Sequence, residues 1–108
     1  MDYKKLNDIP REFNKYQVLS QILVDHNHAT IKALFLEKAQ AIPVHQFPFD
    51  VTFIVLEGHG EIMIGDEFQK IQPMDVILCP PNTKMSVIAD KESTLYFLNI
   101  KTPGLMSL

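Results

Sequence analysis

From residue 17 onward the chain breaks into short runs of aliphatic, β-branched and aromatic residues, set apart by Pro, Gly, Asn and charged residues. The runs cover 17–24, 29–38, 51–56, 61–64, 67–71, 76–79, 85–89 and 94–100, and each is predicted as a strand. Helix is disfavoured after residue 40, because the apolar positions do not recur at helical spacing over a long enough window. Segment 29–38 is ambiguous, since Ala33, Leu34, Glu37 and Lys38 are good helix formers; it is read as a strand.

Segments 51–56 and 95–100 are apolar on both faces, which a sheet with one solvated face cannot explain. Either two sheets and a partner subunit cover them, or the sheet closes around a filled interior, so an all-β sandwich or barrel is expected. Turn chemistry adds detail. Glu57-Gly58-His59-Gly60 and Gly65-Asp66 each place glycine between apolar runs and predict two hairpins in succession. Pro73-Met74-Asp75 opens the run at 76–79 and Pro80-Pro81-Asn82 closes it, because proline cannot donate to a ladder.

The chain of 108 residues is too short for two independent cores, which points to one domain. Its net charge is −3 and its ten Lys and Arg are scattered, so neither nucleic acid nor an anionic membrane is expected as a partner. No run approaches the roughly 18 apolar residues of a membrane span, and the first sixteen residues lack the apolar core of a signal peptide; a cytoplasmic location is expected. Cys79 is the single cysteine, which rules out an intramolecular disulfide and a multi-cysteine zinc site.

The segment Ile42-Pro43-Val44-His45-Gln46-Phe47-Pro48, with run 51–56 and Glu57-Gly58-His59-Gly60-Glu61, resembles the first motif of the cupin superfamily. The stretch from Ile71-Gln72-Pro73-Met74-Asp75 through Cys79-Pro80-Pro81-Asn82 to Met85 resembles the second, with Met74 and Asn82 standing where glycines are usual. The resemblance covers residues 42–100 and implies an all-β, cupin-type double-stranded β-helix, a jelly-roll barrel of the small single-domain kind. On that basis residues 25–102 form the barrel, 1–24 an N-terminal segment available for exchange in a homodimer, and 103–108 a C-terminal tail.

Cupins of this kind usually bind a metal through two His and one Glu of the first motif and one His of the second. Carried over residue by residue, the resemblance leaves only His45: Phe47 takes the second His position, Val51 or Thr52 the Glu position, and Met85 the last His position. One imidazole lacks the three or four donors such a site needs, so no metal cofactor is expected. The alternative is a transition metal ion held by His45 with the soft sulfurs of Cys79 and Met85.

His45 is therefore the leading candidate, pointing into the barrel as a base or ligand donor; the ordinary alternative is a histidine that only satisfies the barrel mouth. Phe47, Phe53, Phe97, Met85, Cys79 and Tyr96 would line or close an apolar cavity, or simply fill the core. His26 and His28 form a His-x-His pair inside what reads as a turn, and His59 lies between two glycines as an exposed turn residue. Asp50 and Glu57 flank a strand and are reserve acid or base candidates. A small molecule held in the barrel is the expected function, with a small enzyme of isomerase or metal-dependent dioxygenase type as the alternative and a ligand-free structural dimer as a third reading.

Overall fold

The two-residue alternation of these runs produces strands whose buried faces meet around one core. The computed structural model describes residues 1–105 and contains ten strands: β1 (Glu12–Phe13), β2 (Leu19–Asp25), β3 (Thr30–Leu36), β4 (Ala41–His45), β5 (Asp50–Gly58), β6 (Gly60–Ile64), β7 (Glu67–Ile71), β8 (Val76–Cys79), β9 (Met85–Ala89) and β10 (Leu95–Thr102). They form an antiparallel six-stranded sheet, order β1-β2-β3-β10-β5-β8, and an antiparallel four-stranded sheet, order β4-β9-β6-β7. The core joins both: Leu36, Val51, Val55, Leu95 and Phe97 from the larger sheet meet Ile62, Met85 and Val87 from the smaller.

All eight predicted runs are strands, and the ambiguous 29–38 segment is β3. Its helix formers are overridden by seven cross-strand pairings to β10, from Leu36 opposite Leu95 to Thr30 opposite Lys101. Two strands escaped prediction. β1 is only two residues long, and β4 carries Pro43, which the edge of the smaller sheet tolerates because one side of an edge strand has no partner to donate to.

The expectation of two successive hairpins holds for one of them. Gly65 and Asp66 link β6 to β7 through a two-residue turn with Gly65 at φ 61°. Gly58-His59-Gly60 is instead a corner: β5 stays in the six-stranded sheet and β6 begins the other. A side chain at Gly58 would overlap the Thr94 carbonyl, and φ there is 83°, so glycine is required to turn the chain between sheets. Met74 (φ 77°) and Asn82 (φ 57°) adopt the left-handed backbone that the usual glycines would take.

The N-terminal segment lies over the outer face of the larger sheet. There the Gln21 amide donates to the carbonyls of Leu6 and Ile9, the Tyr96 hydroxyl donates to Gln21, and the Arg11 guanidinium lies 5.3 Å from the Tyr96 ring. This covering explains how β10 is buried on both faces. Residues 103–105 of the tail dock on the β2–β3 turn, where Gly104 N–H donates to Asn27 O and Leu105 N–H to the Thr30 hydroxyl; the rest of the tail, 106–108, lies outside the described residues.

Candidate ligand-binding cleft

Strand register splits the barrel interior into two halves. Leu95 and Phe97 begin β10 pointing inward, so the alternation carries Asn99 and Lys101 inward as well, 4% and 5% exposed. On β3 the same register sets Leu36 and Leu34 beside the apolar half and Lys32 opposite Asn99. On β5, Phe53 is the partner of Asn99 and Val51 that of Lys101. The polar half opens into a cleft of about 460 Å³ whose walls include Leu34, Ile42, Phe53 and Val87 with Tyr16, His45 and Phe47 at one side.

Lys101 is the group that sequence reading missed. Its ammonium donates to the Asn99 side-chain oxygen and lies 5.0 Å from the centre of the Phe47 ring. Burial, and secondarily the Lys32 charge, pushes its pKa down to about 8. The signal was present: two inward apolar residues at 95 and 97 extrapolate by twos to 99 and 101, but a run apolar on both faces hid which face was inner.

His45 ends β4 half-buried, with Nδ1 2.9 Å from the Pro43 carbonyl and its ring between Tyr16 (6.2 Å) and Phe47 (5.5 Å). Phe47 stacks in turn on Phe49 at 5.4 Å. Tyr16 is presented by a turn in which the Asn14 side-chain oxygen accepts the N–H groups of Tyr16 and Val18. Thus His45, Phe47 and Phe53 line the cleft.

Cys79, Met85 and Phe97 lie in the packed core, each no more than 1% exposed, and are not among the residues lining the cleft. Tyr96 points to the opposite face, where its hydroxyl meets Gln21. His26 and His28 sit in the exposed β2–β3 turn; His26 Nδ1 accepts the N–H groups of His28 and Ala29, so it serves the turn. His59 and Glu57 are exposed, and Asp50 is half-buried beside the strand that carries Cys79.

Of the positions that the cupin resemblance assigns to metal ligands, only that of His45 carries a nitrogen donor. Val51 is fully buried among apolar side chains, and Met85, cross-strand partner of His45, is packed in the core. Burial, and then Asp50, pushes the Cys79 thiol up, which favours the protonated form over the thiolate a metal needs. Among the described residues, no three His, Cys, Asp or Glu side chains are grouped to hold a metal ion. This donor set does not suit a metal.

No family model and no curated protein matches the chain. Solved structures do. An RmlC-like cupin from Shewanella frigidimarina superposes with a TM-score of 0.88 at 12% identity, over 97% of this chain and 93% of that one. The fold is that of a small cupin-type domain. The polyketide cyclase RemF from Streptomyces resistomycificus gives a TM-score of 0.85 at 16% identity, covering 94% of this cupin-type domain and 79% of the cyclase. A conserved protein of unknown function from Streptococcus pyogenes is similar at 27% identity with a TM-score of 0.72, over 82% and 76% of the two chains. Among the described residues, no helix of the domain is long and apolar enough to cross a membrane.

Proposed function

We propose that this cupin-type domain binds a small organic molecule in the cleft at the barrel mouth, through its own side chains and without the metal that its resemblance to cupins would imply. The observation that carries this reading is the composition of the cleft: apolar walls of Leu34, Phe53 and Val87 with a few convergent polar groups, Asn99, Lys101 and His45. A volume of about 460 Å³ suits a molecule of one or two rings. Structural neighbours of low identity support the scaffold alone, because one fold hosts many unrelated chemistries. Native mass spectrometry of protein purified without a metal-binding tag tests the reading. A retained organic adduct that Phe53→Trp displaces supports it; stoichiometric Fe, Mn, Zn or Ni that is lost in His45→Ala overturns the metal-free part.

A second reading, metal-free acid–base chemistry of isomerase type, is favoured by one observation. His45 and Lys101 both line the cleft, and a lysine near pKa 8 is able to exchange a proton close to neutral pH.

We further propose a cytoplasmic homodimer. The edge strand β8 exposes Val76 and Leu78, 67% and 57% accessible, on the outer face of the larger sheet, opposite core-facing Cys79, and a second copy would cover them. In such a pair the 1–24 segment either covers its own sheet or exchanges. Light scattering at micromolar concentration should give twice 12.4 kDa; a species of 12.4 kDa would remove the dimer.

A further inference from the structure

Asn99 holds a clue that the cleft's apolar walls do not. Its side-chain oxygen accepts from the Lys101 ammonium, which fixes the amide orientation and leaves the NH2 end facing away from Lys101. That NH2 donates to nothing among the described residues, although the residue is only 4% exposed. Among the described residues no fully buried side-chain nitrogen or oxygen lacks a partner, so this amide nitrogen opens on the cleft that Asn99 lines. Lys101 has one acceptor for three donors. Lys32, cross-strand partner of Asn99, lines the same cleft, is close enough for its charge to act on Lys101, and has neither hydrogen bond nor ion pair among the described residues. Lys15 also lines the cleft, and no Asp or Glu does.

Two ammonium groups and an amide thus converge as donors, with no Asp or Glu among the described residues of the cleft lining to answer them. These donors face the cleft with few partners among the described residues, so the group that complements them is an acceptor of negative charge. Resting on the reading of the cleft as a small-molecule site, we infer that its occupant is an organic carboxylate, whose oxygens meet Lys101, Lys32 and the Asn99 amide while its apolar body lies against Phe47 and Phe53. A carboxylate answers these donors geometrically, since its two oxygens accept from several N–H groups at once.

The test uses the ¹⁵N-labelled full chain titrated at pH 7 with benzoate and with its neutral isostere benzamide. Benzoate is expected to shift the amide resonances of Asn99, Lys101 and Phe53 and to bind at least about tenfold more tightly than benzamide, as charge-assisted hydrogen bonds imply. Lys101→Met should abolish that preference, and Lys32→Met, at a half-buried position, should narrow it by a smaller factor, weakening benzoate more than benzamide. Benzamide binding the cleft as tightly as benzoate, or a benzoate preference that survives both substitutions, would overturn the carboxylate inference and leave a small-molecule cleft standing. If neither probe moves cleft resonances up to millimolar concentration, the binding reading itself falls, and this inference with it.

Discussion

The two halves of strand β10 make an instructive comparison. Leu95 and Phe97 enter an interior filled by Leu36, Val55 and Ile62, whereas Asn99 and Lys101, a few residues along the same inner face, enter a cleft. The first half is close-packed and has every reason to be there on stability grounds alone. The second buries an ammonium whose pKa is pushed down to about 8, an arrangement that lowers stability near neutral pH. A fold has no physical need for the second half, and that is why the candidate site is placed there.

The sharpest way to separate the halves is truncation. Phe97→Ala leaves a void in the packed half and should destabilise by about 3–5 kcal/mol, read from the urea midpoint. His45→Ala, at the half-buried margin of the cleft, should lower stability by less than about 1 kcal/mol. Equal losses at the two sites would erase the distinction.

The next effect is a pH dependence. Lys101 has a folded pKa of about 8 against an ordinary 10.5, so between those values the unfolded chain binds more protons than the folded one and stability rises with pH. The gain is fully present above about 10.5 and is lost as pH falls through about 8. Wild type should gain roughly 3 kcal/mol over this window relative to Lys101→Met, with the other lysines and tyrosines cancelling between the two. Parallel stability–pH curves for the two proteins would mean that Lys101 is not buried as an unpaired amine.

The smallest effect lies outside both halves. Met74 holds a left-handed φ of 77° with its side chain 83% exposed, so Met74→Gly removes strain and forfeits almost no packing. A gain of about 1 kcal/mol in thermal or urea unfolding is expected. Asn82→Gly should change stability by only a few tenths, because Asn already tolerates this region. A loss at Met74 would show that the turn is not strained.

Much of this molecule was determined along the chain. Eight of its strands are legible as apolar runs between turn residues, and the two motif-like segments that specify the barrel carry their own punctuation at Gly65-Asp66, Pro73 and Pro80-Pro81. These signals are local: a turn needs particular residues where it bends, and a strand shows its alternation within a few positions. Tertiary structure decided the rest. Whether Gly58-His59-Gly60 closes a hairpin or turns a corner depends on whether β6 finds its partner in β5 or in β7 and β9, a choice among distant strands. Which of two apolar faces of β10 is interior depends on the N-terminal segment covering the other, with Gln21 anchored to Leu6 and Ile9. That choice buries Lys101 beside Asn99 and Lys32, and no local pattern reports it, because a site's electrostatics come from residues that the register of the sheet brings together.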